Sequence, residues 1–168
     1  MTGFGIRIIR GGALVVALAA VPAGLVGQTA PSVQRPTFWG TFAAGAARGA
    51  DSGFIHSSLG AGVQLRHLII VGRVTGNDTR DAKRIEDAGV LVGVATEPFA
   101  PFHFSVAAGL SALNDHYRHS TTAGFPVEAQ GTWRFTRWTG IGVRAFAVPN
   151  EINSYGGISL ALQVGRLR

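Results

Sequence analysis

The sequence predicts an all-β fold, an eight-stranded antiparallel up-and-down β-barrel, on three observations. Apolar residues alternate with small or polar ones at a period of two from Thr37 onward, the pattern of strands with two unlike faces. The 168 residues include 24 glycines, each of which costs about 1 kcal/mol in a helix interior. Short and long connections alternate along the chain, as they do in a meander whose tight turns share one end.

Composition narrows the function classes. Charged residues make up 14% of the chain, against ~25% in an average soluble domain. No cysteine is present, which excludes a disulfide scaffold, a thiol nucleophile and a zinc–thiolate site. Lys83 is the single lysine, and the arginines are spread singly, without the clustering of a nucleic-acid groove. No nucleic-acid partner is expected.

Three segments follow from the pattern. In residues 1–27, Arg7 and Arg10 precede an apolar run from Ala13 to Val26, with small residues after it. This is the outline of a cleaved secretory signal peptide; the run is shorter than the ~20 residues a spanning helix needs and contains Pro22. Residues 28–36 read as a linker, and residues 37–168 as the barrel domain.

Eight strands are expected, at 37–47, 54–65, 68–76, 87–96, 102–112, 124–134, 138–147 and 156–166. In the second, Ile55, Leu59, Ala61, Val63 and Leu65 share one face and His56, Ser58, Gly60, Gly62 and Gln64 the other. In the fifth, Phe102, Phe104, Val106, Ala108 and Leu110 oppose His103, Ser105, Ala107, Gly109 and Ser111. The eighth sets Ile158, Leu160, Leu162 and Val164 against Gly157, Ser159, Ala161, Gln163 and Gly165. Tight connections at Arg66-His67, 97–101 and 135–137 alternate with longer polar ones at 48–53, 77–86, 113–123 and 148–155. Closure of the eight strands removes exposed sheet edges.

Closure can place the apolar face inside, as in a soluble lipocalin-like barrel that binds a small apolar ligand, or outside against lipid. A water-facing surface is about 25–35% charged, and the non-apolar face here is mainly Gly, Ser, Gln, Thr and His. That composition suits a filled lumen, because an eight-stranded interior is just wide enough for side chains. The fold expected is therefore a transmembrane β-barrel with outer-membrane lipid around it. Aromatic residues gather near the two hairpin ends: Phe38, Trp39, Phe99, Phe102, Trp133, Phe135 and Trp138 at the tight turns, and Phe54, Tyr117, Phe125, Phe146 and Tyr155 at the long loops. They predict two aromatic girdles.

On this pattern, residues 37–168 resemble the small eight-stranded outer-membrane β-barrel family of the OmpA membrane domain and OmpX. The resemblance implies residence in the cell outer membrane and a structural or surface-interaction role. Members of that family usually end in an aromatic residue, whereas this chain closes Val164-Gly165-Arg166-Leu167-Arg168.

Three groups of residues could carry chemistry. His56/Ser58 and His103/Ser105 match the His-x-Ser spacing of lipid A-modifying barrel enzymes, but a nucleophile needs a base in reach and a carboxylate behind it. His103/Ser105 has no acidic neighbour on its face, and both pairs point to the expected lumen, so no catalytic residue is assigned. His116, His119 and Asp115 share a loop, yet the spacing reads better as solvated loop than as a metal site, and no cofactor is expected. Arg48, Arg80, Lys83, Arg84 and Arg118 on the long loops could meet anionic lipid phosphates, with Asp78, Asp81 and Glu86 partly neutralising them.

Register is predicted from desolvation. A two-residue turn at Arg66-His67 pairs Leu65 with Leu68 and Leu59 with Val74 outside, and Gly60 with Arg73 inside, where the missing side chain leaves room for the guanidinium. A three-residue turn at 135–137 makes Glu128 and Arg144 direct cross-strand partners inside. Arg73, Glu128, Gln130 and Arg144 are then expected to form a structural lumen network, since arginine facing lipid at the midplane costs about 2–4 kcal/mol.

Overall fold

A computed structural model describes residues 36–49, 52–79, 84–116, 119–151 and 154–167. The expected signal peptide and most of the expected linker lie outside these residues. Nine strand segments follow one another: β1 (Thr37–Gly49), β2 (Gly53–Leu65), β3 (Leu68–Asp78), β4 (Arg84–Ala95), β5 (Phe102–Asp115), β6 (Ser120–Gly124), β7 (Val127–Trp133), β8 (Thr139–Val148) and β9 (Tyr155–Arg166). All neighbours are antiparallel. β1 pairs with both β2 and β9, and β4 pairs with β5, so the sheet closes.

The barrel wall has eight strands, because β6 and β7 are two parts of one. Both lie along β5 in a single register, with Ser111 opposite Gly124 and Ala108 opposite Val127. The break falls at Phe125-Pro126, where proline has no N–H to give the ladder. Its carbonyl still accepts from Gly109 N at 2.9 Å.

Strands run further toward the long loops than apolar alternation indicates. β5 continues to Asp115 and β6 starts at Ser120, so much of the expected 113–123 loop is paired. Outward residues there are polar, such as Asn114 and Thr121, so the contrast between faces fades while the hydrogen-bond ladder continues.

Alternation of burial is close to strict. In β1 Thr37, Trp39, Thr41 and Ala43 are buried and Phe38 and Phe42 exposed; in β9 Ser159, Ala161 and Gln163 are buried and Ile158, Leu160, Leu162 and Val164 exposed. The apolar face is thus the outer one, with Leu160 65% exposed and Phe42 likewise. A soluble barrel with an apolar interior has the opposite arrangement.

The β2–β3 register is the expected one: Leu65 opposes Leu68, Leu59 opposes Val74 and Gly60 opposes Arg73. A Cβ on Gly60 would stand 3.1 Å from Gly72 O and 3.6 Å from Arg73 Cβ, so the glycine lies close against β3 at Arg73. Tighter demands fall elsewhere. A Cβ on Gly93 would meet Val106 O at 2.1 Å, and one on Gly45 would meet Ile158 O at 2.1 Å. These inward glycines mark close strand approach at the β4–β5 and β1–β9 seams, on opposite sides of the barrel.

The β7–β8 register corrects the expectation. Gln130, not Glu128, lies opposite Arg144, and Glu128 lies opposite Phe146. The connection occupies 134–138, two residues more than expected, so the inward parity of Arg144 survives. Thr136 builds this turn: its Oγ1 accepts from the backbone N of Trp138 and Thr139 at 3.0 and 2.9 Å. A short hydroxyl side chain supplies the turn that a left-handed glycine would otherwise provide.

The aromatic residues also divide differently from the expected two girdles. Phe38, Phe99, Phe102, Trp133, Phe135 and Trp138 are exposed in a belt at the tight-turn end. At the long-loop end Phe54, Phe146 and Tyr155 turn inward and are buried; Phe125 alone of the described aromatics there is outward. Their positions in strands of inward parity decide this, not their distance from the loops.

Candidate functional site in the barrel lumen

The lumen is filled in three layers. At the loop end, Ala47, Phe54, Ile85, Leu113, Phe146, Val148 and Tyr155 form an apolar plug. At the turn end, Trp39, Ile69, Leu91, Ala95, Ala107 and Leu167 form a second, with Val71 against it. Gly62 makes space for the Trp39 indole, whose Cζ2 would stand 2.5 Å from an added Cβ.

Between the plugs lies a charged layer. Arg73 Nη2 donates to Asp87 Oδ2 at 2.8 Å, and Arg73 Nη1 to Glu128 Oε2 at 3.3 Å. The same Glu128 oxygen is 3.9 Å from Arg144 Nη1. Tyr155 donates its hydroxyl to Asp87 Oδ2 at 3.0 Å. All four charged side chains are at most 7% exposed, and two guanidinium groups face two carboxylates. Desolvation on this scale is tolerable only for charges that are paired and hydrogen-bonded.

Arg144 extends the layer toward β2. Its Nη2 donates to Ser58 Oγ and lies 3.0 Å from His56 Nε2. Because a guanidinium can only donate, His56 Nε2 must accept. The proton is then on Nδ1, which donates to Asn77 Oδ1 at 2.8 Å. Phe146 covers this group, its ring centroid 4.2 Å from that of His56. The layer thereby ties together β2, β3, β4, β7, β8 and β9.

A second polar group sits in the turn-end floor. Gln64 Nε2 donates to Arg66 O at 2.5 Å and Thr96 O at 2.7 Å, while Gln64 Oε1 accepts from His103 Nε2 at 2.9 Å. Arg134 is fully buried and donates from Nη1 to Pro98 O and to Leu167 O, the latter at 3.3 Å. Its backbone N donates to Pro101 O at 2.7 Å. These contacts fasten the 96–101 turn and the end of β9 to the barrel floor.

Of the four expected network residues, Arg73, Glu128 and Arg144 come together. Gln130 does not join them: its amide donates to Thr132 Oγ1 at 3.0 Å. The expectation missed Asp87, His56 and Tyr155. Asp87 was readable, since alternation places Asp87, Gly89 and Leu91 opposite Val90, Val92 and Val94. Tyr155 lay in an expected loop, where nothing in the pattern gave it a direction.

The arrangement offers little for nucleophilic chemistry. His56 presents its accepting nitrogen to Arg144, and Ser58 Oγ receives the same guanidinium, so the imidazole is not poised to activate the hydroxyl. His103 is engaged with Gln64. On the rim, His116 Nε2 is 2.9 Å from Glu86 Oε2, and among the described residues no group of three His, Asp or Glu could hold a metal ion.

A closed antiparallel barrel of eight strands, apolar outside and polar within, defines the class of the small outer-membrane β-barrels, and this chain has their fold. Neisserial surface protein A is similar over 77% of this chain and 96% of its own, with a TM-score of 0.53 at 14% identity. A de novo designed transmembrane β-barrel is similar over 78% of this chain and 98% of its own, with a TM-score of 0.54 at 15% identity. Ail, the attachment invasion locus protein of Yersinia pestis, overlaps at a TM-score of 0.47 and 7% identity, over 77% of this chain and 96% of its own. No protein-family model matches the sequence, and a search of characterised proteins gives no match.

Proposed function

We propose that the protein is exported by residues 1–27 and resides in an outer membrane as a closed barrel with a structural or surface-interaction role. The inverted polarity of the wall carries this reading. Exposed Phe42, Ile55, Val94, Phe104, Leu110 and Leu160 surround the barrel, and a contiguous apolar surface of that extent requires lipid or detergent. The charged layer and the two plugs occupy the lumen, which opposes a role as a wide diffusion pore. The engagement of His56, Ser58 and His103 favours a non-enzymatic role. Arg84 is drawn to Glu86 at 2.6 Å and Asp78 at 4.0 Å, so contact of the long loops with anionic lipid phosphates would fall chiefly to Arg48 among the described loop cations.

Fractionation tests the reading. The mature chain should remain with envelope membranes through a high-pH or urea wash and leave them only in detergent. Recovery as a soluble monomer without detergent would overturn it.

A further inference from the structure

The tight-turn rim carries arginines that no carboxylate among the described residues neutralises. Arg66, Arg137 and Arg166 are exposed there, and none of them forms an ion pair with a carboxylate among the described residues. Among the described residues, the exposed carboxylate at this end, Glu97, lies 3.6 Å from His67. By contrast, the loop-end Arg84 has two carboxylates around it.

Two of these arginines are neighbours. Leu167 N donates to Arg137 O at 2.9 Å and Gly165 N to Trp138 O at 2.9 Å, which brings Arg137 to within one residue of Arg166 across the β8–β9 seam. Arg166 in turn lies opposite Phe38 of β1. The Arg137 guanidinium stands 5.7 Å from the centroid of the Trp138 ring. Like charges side by side on a sheet are unfavourable, and this pair is held on the outward aromatic belt. Tryptophan in such belts sits at headgroup depth, so the two guanidinium groups lie at the level of lipid phosphates.

We infer that Arg137 and Arg166, framed by Phe38 and Trp138, form a binding site for the headgroup phosphate of an anionic phospholipid in the leaflet on the tight-turn side. Guanidinium donors suit phosphate oxygens, and the flanking rings pack on the glycerol and upper acyl segments. This inference rests on the membrane residence proposed above. It concerns the face opposite to the long loops.

The test uses the full chain refolded into vesicles that contain brominated lipid, with quenching of Trp133 and Trp138 fluorescence as the readout. Brominated phosphatidylglycerol should displace phosphatidylcholine from the belt with a preference of about fivefold or more, the size of effect that juxtamembrane basic residues give. The preference should vanish in Arg137→Gln/Arg166→Gln, persist in Arg137→Lys/Arg166→Lys, and persist in Arg84→Gln at the other rim. Equal quenching by the two lipids in the wild type overturns the inference. So does loss of the preference in millimolar inorganic phosphate, which would indicate a small-anion site. Absence of quenching by either lipid would instead refute the membrane residence on which the site depends. Far-UV circular dichroism of each variant establishes that the barrel has formed.

Discussion

The middle and the floor of the lumen both bury arginine, and they satisfy it in different ways. In the middle, Arg73 and Arg144 meet the side chains of Asp87 and Glu128, so strand is braced to strand across the barrel. At the floor, Arg134 meets the carbonyl oxygens of Pro98 and Leu167, so the turn and the chain end are fastened to the wall. A carboxylate brace depends on a formal charge, and its loss leaves a partner charged and buried. A carbonyl brace depends on where the backbone runs, and its loss releases a segment. The first should govern global stability and the second local opening.

Removing the shared carboxylate is the strongest way to break this distinction. Glu128→Ala should lower unfolding free energy by about 3–5 kcal/mol, measured by urea titration of the barrel in vesicles, because two guanidinium groups lose one oxygen. A smaller loss than that of Arg134→Ala would reverse the ranking of the two regions.

Arg134→Ala is expected to cost about 1.5–3 kcal/mol, the range for hydrogen bonds to a charged group. Hydrogen exchange should locate its effect: amides around 96–101 and at the end of β9 should lose protection first, while those of β3 and β8 keep theirs. Uniform loss along the wall would show that the floor is part of the global brace.

Double-mutant cycles sharpen the picture within the middle layer. Coupling between Glu128 and Arg73, at 3.3 Å, should exceed that between Glu128 and Arg144, at 3.9 Å, with both in the range of about 0.5–3 kcal/mol. Adding Arg144→Ala to Glu128→Ala should recover part of the loss, and strict additivity would dissolve the pair. Tyr155→Phe, which deletes the donor to Asp87, should cost about 1 kcal/mol. The smallest change runs the other way. Arg66 holds φ at 57°, a conformation costing a side chain about 1–2 kcal/mol, so Arg66→Gly should raise the urea midpoint slightly.

The barrel was readable because desolvation acts on every strand residue alike. The outward rows of β2, β5 and β9 and the inward Arg73 follow from alternation alone, since a one-residue slip would set arginine in lipid. Parity, however, does not count residues in a turn. Connections of three and five residues keep Arg144 inside equally well, and local bonds such as those of the Thr136 hydroxyl hold the longer one. The expected pairing of Glu128 with Arg144 therefore became a diagonal contact, and Gln130 took the opposite position.

The sequence by itself determined the strand count, the polarity of the wall and the burial of Arg73, Glu128 and Arg144, because each of these follows from the cost of placing a charge or an apolar face in the wrong medium. Tertiary structure decided which partners meet across the lumen: Asp87 and Tyr155 around Arg73, His56 and Ser58 around Arg144, and the backbone of a distant turn around Arg134. Those contacts join residues up to 88 positions apart. They depend on how far the closed wall staggers its strands, a quantity that period-two alternation does not encode.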